Sequence, residues 1–302
     1  MTYLPFSPDP RPLGKSGIVI SPIAWGMWRF AGDDVNTARR RVEAALEAGV
    51  TLFDTADIYG PDNGERFGAA ESLLGRVFAD SPGLRQRMVL ATKGGIVIGT
   101  PYDSSADYLE QAIDASLQRL GVDRVELWQI HRPDILTHPQ EVARTLEKAH
   151  QAGKIGAIGV SNFTVAQTAA LQHFLTIPIA STQPEFSALA LDPIRSGLLD
   201  QAMTTDLAVL AWSPLARGTL MEPRDARTLE VAALLDRKAE DAGVDRSAAA
   251  LSWIMAHPAR PIPIVGSQRP ERIALIPQAL KPRWTRTEWY AVLQASMGER
   301  LP

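Results

Sequence analysis

The stretch GVTLFDTADIYG, residues 49–60, decides how the chain folds. It opens on a glycine that closes an amphipathic run from Asp34 to Ala48, with Asp33 or Asp34 as the N-cap. Val50, Leu52 and Phe53 then read as a short buried strand ending at Asp54. Beyond Tyr59 and Gly60 a second helical pattern runs from Glu65 to Ala79. Helix, strand, polar loop and helix make up the repeating unit of a parallel sheet. The stretch also raises a chemical question, because an apolar strand delivers Asp54, Asp57 and Tyr59 almost together.

The same unit recurs on both sides. Apolar strands are predicted at Ile23–Met27, Thr51–Asp54, Arg87–Lys93, Arg124–His131, Ile155–Asn162, Ile179–Gln183, Leu207–Ser213 and Ile262–Ser267. Helical patterns separate them at Asp107–Leu120, Pro139–Ala152, Thr164–Phe174, Pro193–Met203, Ala226–Ala242 and Ser247–Ala256, and Pro270–Leu280 and Thr285–Met297 finish the chain. Eight strands alternating with helices, with no Pro-, Ser- or Gly-rich linker, predict an α/β chain folded as a single (β/α)8 TIM barrel over residues 1–302. A doubly wound sheet would need a Gly-x-Gly-x-x-Gly turn after an early strand. The nearest candidate, GKIGAIG at 153–159, lies before and within a strand, which is the wrong place for a phosphate-binding turn.

Composition narrows the function. The 302 residues are 45% hydrophobic and 22% charged with a formal charge of −3, so there is no concentrated basic patch for nucleic acid or a membrane surface. The chain has no cysteine, which excludes disulfides, thiolate metal sites and cysteine nucleophiles. No signal peptide and no membrane span are read, and a cytoplasmic location is expected.

In a (β/α)8 barrel the active site lies at the C-terminal ends of the strands. Asp54 and Tyr59, Lys93, His131, Ser161 and Asn162, Gln183, Trp212 and Ser213, and Gly266 and Ser267 all fall there. A tyrosine is a poor acid at neutral pH, with an ordinary pKa of about 10. A neighbouring ammonium favours the phenolate and lowers that value. Lys93 could do this, held charged by Asp54, while His131 orients a substrate oxygen. The set makes a tunable acid for a carbonyl oxygen and shows no metal-ligand cluster.

Here the residues carry a resemblance. FDTADIYG, LATKGG, LWQIHRPD, IGAIGVSNF, AWSPLARG and IPIVGSQRPERI, in that order from about Gly14 to Arg272, resemble the aldo-keto reductase superfamily, and within it the bacterial YdhF-type oxidoreductases. The resemblance implies a barrel that binds NADP(H), with NAD(H) possible, and passes hydride to or from a carbonyl carbon. It places the catalytic tetrad on Asp54, Tyr59, Lys93 and His131, with Tyr59 as proton donor in reduction. It assigns the nicotinamide carboxamide to Ser161, Asn162 and Gln183, and stacking to Trp212. Ser213, Leu215 and Gly218 lie on the loop around the pyrophosphate, and Gly266, Ser267 and Arg272 meet the adenosine 2′-phosphate. Gly26 and Met27 are counted with the cofactor contacts and Trp28 with the substrate pocket.

The sequence departs from the family pattern in places. Gly266 stands where a lysine is frequent, and Ile276 replaces a frequent asparagine near the adenine. KGGIVIG follows Lys93 where an aromatic is common, so the loop from Gly94 to Ala106 is expected to build that wall. No long C-terminal specificity loop is expected. Asp57 reads as a loop-forming carboxylate. The partner is a small-molecule carbonyl or alcohol. Two alternatives stay open: an NAD(P)+-dependent sugar or secondary-alcohol dehydrogenase, and a catalytically idle cofactor-binding regulatory module.

Overall fold

Strands covered by helices on one face and by the barrel lumen on the other are buried throughout, which explains their apolar runs. The computed structural model describes residues 2–302. A short antiparallel pair, β1 (Arg11–Pro12) and β2 (Val19–Ile20), comes first. The barrel strands are β3 (Ala24–Gly26), β4 (Leu52–Asp54), β5 (Val89–Gly94), β6 (Val125–Ile130), β7 (Ile155–Ser161), β8 (Ser181–Gln183), β9 (Ala208–Ala211) and β10 (Ile262–Val265). They are parallel and close in the order β10-β3-β4-β5-β6-β7-β8-β9. This is the predicted barrel, with each strand beside its neighbour in sequence.

Period-two alternation sorts the side chains into two cores. Ala24, Leu52, Ala91, Leu127, Ala157, Ala208, Leu210 and Ile262 face the lumen and pack together. Trp25, Phe53, Leu90, Trp128, Ile158 and Val209 face outward into the larger shell beneath the helices. Leu13 and Ile20, from the β1–β2 hairpin, join the lumen cluster with no exposed surface. The hairpin therefore plugs the N-terminal end. Gly14 is needed there: its φ is +56°, and a Cβ would fall 2.4 Å from the carbonyl oxygen of Ala180.

The outer helices are α1 (Val35–Glu47), α2 (Ala69–Asp80), α3 (Ala106–Leu120), α4 (Pro139–Gln151), α5 (Val165–Phe174), α6 (Asp192–Arg195), α7 (Leu198–Thr205), α8 (Ala226–Ala242), α9 (Arg246–Met255), α10 (Pro270–Ile273) and α11 (Arg286–Met297). Asp34 caps α1 through the amide of Asn36, and Thr164 and Thr285 form capping boxes on α5 and α11.

Three predicted helices differ. The one expected from Glu65 begins at Ala69, because Gly64 and Gly68 take φ of +75° and +78° and hold the chain in turns. The one expected over Pro193–Met203 breaks into α6 and α7 at Gly197, whose φ is +77°. The one expected over Pro270–Leu280 stops at Ile273 and resumes as a 3-10 turn over Ile276–Leu280, with Pro277 inside it.

Candidate active site

The lumen-facing row of each strand changes character near its C-terminal end. In β4 it runs Leu52 then Asp54, in β5 Ala91 then Lys93, and in β6 Leu127 then Gln129. Register sets Gly26 beside Asp54, Lys93 beside Gln129, and Ser161 beside Gln183. Apolar layers fill the bottom of the lumen, and a polar layer lies on top of them.

Lys93 is at the centre of that layer, fully buried. Its Nζ donates to Asp54 Oδ2 at 2.7 Å, to the Thr55 carbonyl at 2.7 Å and to the Tyr59 hydroxyl at 3.2 Å. Asp54 Oδ1 accepts from the amides of Gln183 at 3.0 Å and Gln129 at 3.2 Å. A buried ion pair is stable only when its remaining polar atoms are satisfied, and here they are. His131 sits edge-on to Tyr59, with ring centres 5.8 Å apart, and its amide donates to the Gly94 carbonyl at 2.8 Å.

The titration behaviour follows from these contacts. Burial alone would push the Lys93 ammonium down, but Asp54 and Tyr59 outweigh it and hold Lys93 above its ordinary value. Burial, then the charges of Lys93 and Arg132, push His131 well below its ordinary value, so the imidazole is neutral at pH 7. At Tyr59 the net direction differs from the expectation. Lys93 favours the phenolate, yet burial outweighs it with support from Asp54 and Asp57, so the phenol lies above its ordinary value. A phenol so held stays protonated at neutral pH.

The other expected residues are distributed as follows. Ser161 ends β7 and Asn162 follows it. The Asn162 side chain donates to Ser161 Oγ at 2.8 Å and to the His131 carbonyl at 3.2 Å, and accepts from Trp212 Nε1 at 3.0 Å. Gln183 is adjacent, but its amide points into the lumen at Asp54 rather than outward. Trp212 packs on the lumen cluster at the mouth. The loop after it is unusual: Ser213, Ala216 and Arg217 have positive φ between 50° and 55°, and Gly218 has φ of 99°, with Leu215 between Ser213 and Ala216. Gly266 and Arg272 are exposed, and Ser267 is half-buried.

Two placements depart from expectation. Gly26 faces the lumen, so alternation turns Met27 outward, fully buried in the shell beneath the helices. Only the Met27 backbone reaches the site, donating to the Asp54 carbonyl at 2.9 Å. Ile276, expected near the adenine, is also buried in that shell. Trp28 is exposed at the rim, donating to Asp62 at 2.9 Å beneath the Arg29 guanidinium.

Several residues at the site escaped the sequence reading. Gln129 completes the shell around Asp54, and its place two residues before His131 on the same strand face was the available signal. Arg132 and Arg217 both lie over the Trp212 ring, 5.9 and 5.4 Å from its centre. Arg269 is exposed beside Arg272. Asp57 does lie on the loop after β4, but it is only 1% exposed, with its amide donating to the Lys93 carbonyl at 3.0 Å. Among the described residues, no group of acidic or histidine side chains could hold a metal ion, and no helix is long and apolar enough to cross a membrane.

Comparison with known proteins agrees with this architecture. The sequence profile of the aldo/keto reductase family matches residues 22–295. A 6-dehydroglucose reductase of Novosphingobium aromaticivorans is 58% identical over 304 residues, covering 100% of both chains. The oxidoreductase YdhF of Escherichia coli is 32% identical over 96% of this chain and 98% of its own length. Among solved structures, a glycerol dehydrogenase from Gluconobacter oxydans superposes with a TM-score of 0.82 at 25% identity, covering 99% of this chain and 97% of that one. With a buried Asp–Lys–Tyr chain at the mouth of a closed parallel barrel, this chain belongs to the aldo/keto reductase family, oxidoreductases that interconvert carbonyl and alcohol groups.

Proposed function

We propose that the chain is an NADP(H)-dependent reductase of small hydroxylated aldehydes, with Tyr59 as the general acid. The observation that carries this is the hydrogen-bonded series Asp54, Lys93, Tyr59, which delivers a protonated phenol to the mouth with an ammonium 3.2 Å behind it. The relative in Novosphingobium aromaticivorans is a 6-dehydroglucose reductase, which supports the substrate class.

The cofactor, when bound, supplies hydride to the carbonyl carbon. Tyr59 gives its proton to the carbonyl oxygen as that charge develops. Lys93 then lies next to the phenolate that remains, and Asp54 balances the ammonium so that it stays in place. Neutral His131 can hydrogen-bond the same oxygen without competing as the acid. The donor set fits the dinucleotide. Ser161 and Asn162 present hydroxyl and amide groups beside Trp212, whose flat ring suits stacking. The exposed guanidinium groups of Arg269 and Arg272, neither paired with a carboxylate among the described residues, suit a phosphate, whose geometry the arginine fork matches.

The test is Tyr59→Phe. Removal of a positioned acid costs on the order of 10²–10⁴ in rate. Turnover of an aldehyde with NADPH should fall by at least 10²-fold, with NADPH binding by fluorescence titration retained. Wild-type turnover by this variant would remove Tyr59 from the mechanism.

A further inference from the structure

We propose that Arg132 selects the substrate, its guanidinium receiving hydroxyl oxygens on the carbons next to the reacting carbonyl. This rests on the reading of the chain as an aldehyde reductase.

Arg132 directly follows His131, which faces the acid Tyr59. Its guanidinium lies 5.9 Å from the centre of the Trp212 ring. That indole packs on the lumen cluster and donates to Asn162 at the top of β7. The Arg132 guanidinium is therefore held within the mouth, beside the residue that orients the carbonyl. It is half-buried. An arginine so placed ordinarily meets a carboxylate, because a partly desolvated charge without a partner is costly.

Among the described residues no carboxylate pairs with Arg132, and Asp54, Glu185 and Asp134 have other partners. Asp54 is held by Lys93, Gln129 and Gln183. Glu185 is held by Arg217, the other arginine over the same indole. Asp134, two residues on, accepts from the Ser104 and Leu136 amides and the Thr137 hydroxyl. The two arginines thus differ in kind. Arg217 is neutralised by its own salt bridge, while Arg132 keeps its N–H fork free.

A guanidinium presents donors only, in a rigid plane that matches two neighbouring oxygen acceptors. A simple alkyl aldehyde would leave it unsatisfied. An aldehyde with hydroxyls on the adjacent carbons would satisfy it while its carbonyl rests against His131 and Tyr59. A carboxylate next to the aldehyde offers the same paired-acceptor geometry with a charge. Sites built to hydrogen-bond a substrate group discriminate strongly against analogues that lack it.

The experiment compares kcat/KM with NADPH for glyceraldehyde, glyoxylate and propanal in the wild type, Arg132→Met and Arg132→Lys. The expected result is that Arg132→Met lowers the ratio of glyceraldehyde to propanal by about tenfold or more, mainly through KM for glyceraldehyde. Arg132→Lys, which keeps the charge and loses the fork, should fall between. Losses that are equal for all three aldehydes overturn the proposal and leave the reductase reading standing. A loss confined to glyoxylate also overturns it, by assigning Arg132 to an anionic acceptor. A wild-type protein that reduces none of the three overturns both readings.

Discussion

Asp54 and Asp57 lie three residues apart and meet different surroundings. Asp54 is paired with an ammonium and two amide donors. Asp57 is buried with its Oδ1 unpartnered, and Glu71 is close by. Burial and then the Glu71 charge raise its pKa well above the ordinary carboxylate value, although Arg119, the Ile58 amide and Lys93 oppose them. The sign of the consequence is definite. Above pH about 3.9 the unfolded chain releases this proton while the folded chain keeps it. The contribution of Asp57 to stability is therefore full below that pH and is lost as pH rises toward the folded value. Asp57→Asn removes the ionisable group with little change of shape. Its melting temperature, relative to wild type, should rise as pH increases from about 4 over the range in which the wild type stays folded. A difference that stays flat across that range would show that Asp57 ionises as an ordinary carboxylate. The sequence separates these two aspartates by strand position and by resemblance, but not by surroundings, since the ammonium beside Asp54 arrives from β5 and the amides from β6 and β8. The gathering of Asp54, Tyr59, Lys93 and His131 at the strand ends was legible from motif order. Gln129 and the burial of Asp57 were not, because they depend on which side chains meet across the lumen.

At the scale of the element, the strands were the most legible feature and the glycine-bounded helices the least. A buried parallel strand is a short apolar run ended by a polar residue, and β4, β5, β6 and β7 show that pattern, whereas β8 is Ser-Thr-Gln and is marked by the apolar residues before it. Helix starts near Gly64, Gly68 and Gly197 depend on which glycines adopt positive φ, and composition alone does not say. Gly159 on β7 is of another kind, with no unusual φ. A Cβ there would project into the lumen, 2.3 Å from Ser181 Oγ and 2.8 Å from Gln129 Cγ. It is a spacer that lets Gln129 reach Asp54. Gly159→Ala should therefore disturb both packing and chemistry. Overpacking of this kind costs about 1–3 kcal/mol, and the displaced Gln129 would withdraw a donor from Asp54. Thermal unfolding should shift down and kcat should fall in the same variant. Wild-type values of both would show that the lumen has room at this level.

Over the whole molecule the two ends of the barrel divide the work. Charge, neutral imidazole and phenol gather at the C-terminal mouth, where the loops supply Tyr59, Arg132 and Trp212. The N-terminal end is sealed by a hairpin whose Leu13 and Ile20 fill the lumen from below. Barrels of this type place function at the first end and stability at the second. Separate substitutions can test that division. Leu13→Ala removes a fully buried side chain from the plug and should destabilise the fold by about 2–5 kcal/mol, depending on how far the cavity collapses. Leu13 touches none of the polar residues of the mouth, and the apolar layers of the lumen lie between. At a temperature where the variant remains folded, kcat with a small aldehyde should match wild type, while the urea midpoint drops. Tyr59→Phe should show the reverse, with its urea midpoint close to wild type and its kcat lost. If Leu13→Ala lowered kcat at unchanged stability, the lumen would be transmitting strain from plug to mouth, and the two ends could not be treated as independent.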